Sequence, residues 1–307
     1  MAMNWFRVRL GLAIAAASGL FAFCGIAWWV GSALVAPARH PVGDPPKNLP
    51  VAFTTIPNNS GNPLAAWYIP VENSPATLIL LHPLRGDRRS MLGRAKLFLE
   101  AGYSVLLVDL QAHGESEGDR ITFGYRESKD VRAIVRFVRK THPNRKIGIV
   151  GWSLGGASAV LASPLNIDAL VLESVYPSIA QAVRNRIAIR LGPLSNLVSP
   201  ALLVQLKPRL GIAPSDLRPI DRIGQVGCPI LIASGDRDRH TTLTETQQLF
   251  EAAREPKQLV AFEGSAHEDL LAKNPQQYRA QVLSFLDARL QAPVDRASNS
   301  LPPRGLH

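Results

Sequence analysis

The sequence predicts an α/β fold: a mostly parallel eight-stranded sheet with helices on both faces and a short helical lid. Three observations carry that expectation. Short apolar runs alternate with helical patterns along most of the chain, as in strands joined by crossover helices. About fifty residues of different, helical character interrupt the alternation after residue 173, too many for a plain connection. The segment Gly151-Trp152-Ser153-Leu154-Gly155-Gly156 stands where one strand ends and the next helix begins. With 46% apolar and 19% charged residues, the 307-residue chain has the composition of a globular protein.

Arg7 and Arg9 precede an uncharged stretch over 10–36. It exceeds the roughly 20 apolar residues that cross a bilayer. It also exceeds the apolar core of a cleavable signal peptide, roughly 7 to 15 residues. Residues 1–36 are therefore expected to form a transmembrane signal anchor. The alternative is cleavage at the small residues Ala36-Pro37-Ala38. The basic N-terminal flank places the N-terminus in the cytoplasm and the rest of the chain outside it, in the periplasm of a Gram-negative cell. Trp28 and Trp29 suit a membrane interface or a lipid-facing position. Residues 37–48, rich in proline, read as a semi-rigid linker. The first forty residues are thus expected to lie outside the globular fold, which occupies 49–290.

Within that domain, 51–56 and 64–70 form a strand hairpin joined through a turn-rich segment. Strands follow at 77–81, 104–109, 146–151, 168–172, 230–234 and 258–262, with helices at 90–101, 124–141, 154–162, 242–253 and 275–290. The interruption, a lid over about 174–226, has helical patterns at 179–191 and 197–206. It carries seven basic and two acidic residues among many leucines and isoleucines. The polar tail 291–307 is expected to be disordered. The net charge of +10 reads as a basic surface, and no zinc-finger spacing, RNA-binding signature or aromatic-interleaved basic run points to nucleic acid as a partner. Cys24 lies in the apolar segment and Cys228 enters a core strand, so the two do not suit a disulfide.

A serine projecting from a tight strand-to-helix turn has a strained backbone, and flanking glycines let strand and helix approach closely. Gly151 and Gly155 meet that need. Here the sequence resembles the α/β-hydrolase family, over about 49–290. The resemblance implies Ser153 as the nucleophile. A serine hydroxyl needs a base, and the family order of serine, acid, histidine leaves His240 and His267. His267 follows the last strand, where the family places its base. Gly235-Asp236-Arg237-Asp238 resembles the family's glycine, two residues, aspartate pattern and selects Asp238 as the acid, with Glu173 and Asp236 as alternatives. The oxyanion donors implied are the backbone amides of Leu154 and Leu84. The sequence departs from the family's usual His-Gly with His82-Pro83, and His82 reads as structural. Residues 109–118 resemble the family's fourth-strand turn, supporting the loop.

Serine at this position implies acyl transfer, where an aspartate would imply dehalogenase or epoxide hydrolase chemistry and a cysteine dienelactone hydrolysis. No metal-ligand spacing is seen, and neither metal nor cofactor is expected. The expected function is a serine hydrolase that cleaves carboxylic esters of a small-molecule substrate through an acyl-enzyme. Amidase or peptidase, thioesterase and acyltransferase chemistry would use the same residues. A non-catalytic binding protein on a hydrolase scaffold is the alternative from another class.

Overall fold

The apolar runs pair into one sheet. The computed structural model describes residues 2–58 and 61–291. Its strands are β1 (Ala38–Arg39), β2 (Ala52–Ile56), β3 (Leu64–Ile69), β4 (Ala76–Leu81), β5 (Ser104–Val108), β6 (His113–Gly114), β7 (Lys146–Trp152), β8 (Ala169–Glu173), β9 (Ile230–Gly235) and β10 (Lys257–Phe262). Eight of them form a sheet of order β10-β9-β8-β7-β4-β5-β3-β2. The six central and far-edge strands run parallel, and the β2–β3 hairpin closes the other edge antiparallel. Every residue of β4, β5 and β8 is buried, as a strand covered on both faces requires.

The helices are α1 (Ala2–Val35), α2 (Leu92–Glu100), α3 (Tyr125–Thr141), α4 (Leu154–Ala162), α5 (Ile179–Leu191), α6 (Ser195–Leu203), α7 (Leu206–Leu210) and α8 (Leu243–Ala252), followed by short helical pieces up to residue 290. On one face of the sheet, Val131 and Ile134 of α3 pack with Val160 of α4 and Leu249 of α8. On the other, Phe98 of α2 packs with Tyr278, Phe285 and Leu286. Full burial of each such apolar side chain contributes about 1.5–3 kcal/mol. The expected tail falls outside the described residues, Gln291 apart. Cys24 and Cys228 are both free thiols.

The first forty residues do not stand apart from the globular fold, contrary to the expectation from sequence. α1 is long and apolar enough to cross a membrane, over Trp5–Val35, yet its last turns are docked. Val35 is buried with Ala112, Ile121, Phe123 and Leu206. Gln205 Nε2 donates to the Ala27 carbonyl at 3.0 Å. Arg209 Nη1 donates to Ser32 Oγ at 2.8 Å, its Nη2 to the Trp28 carbonyl, and its guanidinium lies 3.8 Å from the centre of the Trp28 ring. From the loop after β4, Arg85 donates to the carbonyls of Ala33 and Ala36. The expected linker is itself fixed at its start, because β1 pairs in parallel with β6. Two-residue strands carry no periodicity to read. An all-apolar helix also gives no sign of which face meets protein.

A side chain at Gly31 would overlap the Gln205 amide and crowd Arg209. Gly31→Leu is expected to push α1 off α7 at a cost of about 1–3 kcal/mol. The readout is limited trypsin cleavage at Arg39 and Lys47, which should accelerate; an unchanged rate would mean that α1 is no more than a tether.

Candidate active site

β7 ends at Trp152 and α4 begins at Leu154, so Ser153 alone reverses the chain. Its backbone sits at φ 50° and ψ −108°, a conformation that costs a residue with a Cβ about 1–3 kcal/mol. Neighbouring strands hold it there. The Ser153 amide donates to the Glu173 carbonyl of β8 at 2.8 Å. Gly155 lies so close to the Leu81 carbonyl of β4 that any Cβ would collide with it. Ser153 lines a cavity of about 870 Å³ roofed by α5, α6 and the last turns of α1. No described residue hydrogen-bonds the Ser153 hydroxyl, His267 included.

The ends of β9 and β10 lie side by side, and their loops touch. Gly235 packs under the Ser265 carbonyl where a Cβ would collide, and the Arg237 amide donates to that carbonyl at 2.9 Å. This approach brings His267 Nδ1 to 2.7 Å from Asp238 Oδ2. Asp238 Oδ1 accepts the amides of His240 and Thr241, each at 2.8 Å. Burial pushes this carboxyl up, but the hydrogen bond and charge of His267, with the two amides, hold it below the ordinary aspartate range. Because His267 spends Nδ1 on Asp238, Nε2 is the ring nitrogen that Asp238 leaves free.

Of the two amides singled out from sequence, that of Leu154 follows Ser153 directly. Leu154 is the first residue of α4, where an amide has no intrahelical acceptor. Leu84 follows Pro83, and both leucines line the cavity. Neither amide donates to a described residue. His82 fixes the Leu84 loop from beneath: its Nε2 accepts the Leu110 amide at 3.0 Å, and its Nδ1 donates to the Pro83 carbonyl at 2.8 Å. Burial, with His113 adjacent, pushes its pKa down to about 3, so it is neutral at physiological pH. Asp109 holds the same loop by accepting the Arg88 amide at 2.6 Å and Arg88 Nη1 at 2.7 Å.

The alternative acids are placed elsewhere. Asp236 is exposed. Glu173 is fully buried and spent on Arg94, whose Nε lies 3.0 Å from its Oε2, and on the Tyr278 hydroxyl. Arg94, equally buried, also reaches Asp269 at 3.0 Å and lies over the Trp152 ring. Sequence reading missed this knot beneath the Ser153 turn. Its only sign was an arginine and a glutamate in apolar surroundings, 79 residues apart. His240 was read as a loop residue. Its ring lies 5.0 Å from that of His267, and burial, His267 and Arg186 hold its pKa below the usual value. Among the described residues, Asp238, His240 and His267 bring ligand-type atoms within 4.8 Å of one another. Both Asp238 oxygens are already engaged, which leaves a metal ion little of the carboxylate it would need.

A parallel sheet with a strained serine after one central strand and a carboxylate–histidine pair after the last two defines a class of hydrolases. Residues 78–281 match the alpha/beta hydrolase family, and the chain belongs to it. Protein YqkD of Bacillus subtilis is 27% identical over 237 residues, covering 76% of this chain and 78% of YqkD. Protein Rv2307c of Mycobacterium tuberculosis is 30% identical over 240 residues, 76% of this chain and 78% of its own. A membrane protein of Saccharomyces cerevisiae, YNL320W, is 29% identical over 151 residues, 48% of this chain and 53% of its own. Among solved structures, the Pyrococcus furiosus esterase Pf2001 superposes with a TM-score of 0.71 at 22% identity, covering 84% of this chain and 98% of the esterase.

Removing the Glu173 charge strands Arg94 in the core, so Glu173→Gln is expected to destabilise the fold by about 3–5 kcal/mol. Adding Arg94→Met should recover most of that loss in thermal unfolding. An unchanged melting temperature together with collapsed turnover would instead make Glu173 the partner of His267.

Proposed function

We propose that this chain is a serine hydrolase that cleaves carboxylic esters through an acyl-enzyme. The observation that carries this reading is the 2.7 Å pair of Asp238 and His267 at the same sheet end as the strained Ser153. Ser153 Oγ attacks the ester carbonyl carbon as His267 Nε2 takes its proton. The negative charge that develops on the carbonyl oxygen is met by the Leu84 and Leu154 amides. The carbon–oxygen ester bond then breaks, and the leaving alkoxide takes the proton from His267. Water repeats the sequence in reverse: His267 removes its proton, the acid is released, and Ser153 recovers its hydrogen. Asp238 holds His267 in the tautomer that leaves Nε2 free and stabilises the imidazolium. The esterase named among the structural neighbours supports the choice of ester over other acyl bonds.

The enzyme works at a membrane. Arg9 and Trp28 are 19 residues apart, about 28 Å along a helix. That separation suits a hydrocarbon core about 30 Å thick. The basic N-terminal flank puts the N-terminus in the cytoplasm and the catalytic domain outside it. The match to a yeast membrane protein supports the association.

A fluorophosphonate probe, whose phosphorus stands in for the attacked carbonyl carbon, is expected to label wild-type protein at Ser153. Labelling should vanish in Ser153→Ala and drop severely in His267→Ala. Asp238→Asn should keep the fold and lower turnover by up to about 10,000-fold. Folded wild-type protein that takes up no probe and hydrolyses no activated ester would leave a binding scaffold as the better reading. For topology, a reporter fused after residue 290 should be active only outside the cytoplasm; cytoplasmic activity would reverse the orientation.

A further inference from the structure

The docked face of α1 is also a face of the cavity. Phe23, Ile26, Val30 and Leu34 line it, in steps of three and four residues that place them on one stripe of the helix. Ser153, Leu84 and Leu154 line the same cavity. Ile187 of α5 and Leu202 of α6 face α1 across it. Phe23 to Leu34 is 11 residues, so the apolar wall runs about 17 Å along the helix. A volume of about 870 Å³ stands near the top of the range for small-molecule sites, about 300–1,000 Å³. An acetyl group would leave most of it empty.

The outer surface beside this cavity is apolar as well. Leu191, Leu197 and Val204 of the α5–α6 region are 47%, 72% and 70% exposed, and Phe21 and Trp29 of α1 are 83% and 71% exposed. Residues 179–210 are themselves apolar enough, by composition, to sit in a membrane. A plain tether would need none of the hydrogen bonds that Gln205, Arg209 and Arg85 make to α1. We propose that α1 is one wall of the acyl site, and that the substrate is a long-chain ester resident in the bilayer that enters sideways between α1 and the α5–α6 hairpin. This inference rests on the hydrolase and membrane readings above. The bilayer is the occupant the geometry favours, because the hairpin carries exposed apolar side chains, Leu191, Leu197 and Val204, as does the part of α1 proposed to cross it. Along the stripe, Phe23 and Ile26 lie on the membrane side of Trp28, while Val30 and Leu34 lie on the catalytic side. The lining therefore includes residues at acyl-chain depth as well as Ser153.

The test uses the full chain in phosphatidylcholine vesicles with activated acetyl and dodecanoyl esters. Wild type is expected to favour the dodecanoyl ester in kcat/KM by at least about tenfold, since each buried methylene favours binding. Val30→Trp fills the groove from α1 and should lower the dodecanoyl-to-acetyl ratio at least about tenfold; Ile26→Trp is the second variant should the first not fold. Gly25 has open space around it and does not line the cavity. Gly25→Leu should therefore leave the ratio within about twofold, as surface substitutions do. Diluting the vesicles at a fixed mole fraction of dodecanoyl ester should leave the rate per enzyme unchanged. A ratio that neither tryptophan variant moves, or that Gly25→Leu moves equally, overturns the assignment of α1 as a wall. A rate that follows bulk ester concentration overturns entry from the bilayer. A wild type that takes up no fluorophosphonate and cleaves neither ester overturns the hydrolase reading itself, and so separates that failure from the other two.

Discussion

Parallel pairing of β4, β5 and β7 to β10 forces every one of those strands to end on the same edge of the sheet. Each connection must then cross back over a face, and crossovers are long enough only when they contain a helix. The loops at the C-terminal edge therefore converge while the helices between them are kept apart. Ser153 after β7, Asp238 after β9 and His267 after β10 come from segments separated by 85 and 29 residues, yet share one rim. Two close backbone approaches tighten the convergence. Gly155 lets α4 rest on β4, and Gly235 lets the β9 loop touch the β10 loop. A methyl group at either position would open the gap that the side chains must span.

The parts of this arrangement that depend on local chemistry were legible in the sequence. Alternating apolar runs and helical patterns located the strands along the chain and the hairpin edge, because burial on both faces leaves a continuous apolar signal. Gly151-Trp152-Ser153-Leu154-Gly155 announced a tight turn because only small neighbours tolerate it. The parts that depend on long-range pairing were not legible. Arg94 and Glu173 hold each other at zero exposure across the sheet, and nothing in the residues beside either names the other. The same holds for β1 and β6, whose two residues apiece pair across a long separation in sequence, with the Ala38 amide donating to the Ala112 carbonyl.

The Arg94–Glu173 knot explains why the sheet edge tolerates a strained serine. Glu173 accepts the Ser153 amide with its backbone, while its side chain is locked by Arg94 and Tyr278. Arg94 in turn ties α2 to the Asp269 side of the β10 loop, which carries His267. The charges are fully desolvated, so their attraction is offset by the cost of burial and adds little to net stability. What they contribute is fixed geometry: the serine turn, α2 and the histidine loop are joined through one guanidinium.

The grip of Arg85, Gln205 and Arg209 on α1 fixes the height of that helix relative to the rim that carries Ser153. A freely jointed anchor would let a soluble domain float at any distance from its membrane. If α1 crosses a bilayer as proposed, thickening or thinning is not readily absorbed at the joint, because the last turns of α1 are hydrogen-bonded to the β4 loop and to α7. Mismatch between helix and bilayer costs fractions of a kcal/mol per Å and is relieved by tilt or by local deformation of the lipid. Either response carries Ser153 with it. In a protein whose α1 crosses the bilayer, as proposed, membrane thickness becomes a coordinate of the site, and lipid composition sets how deep Ser153 rides.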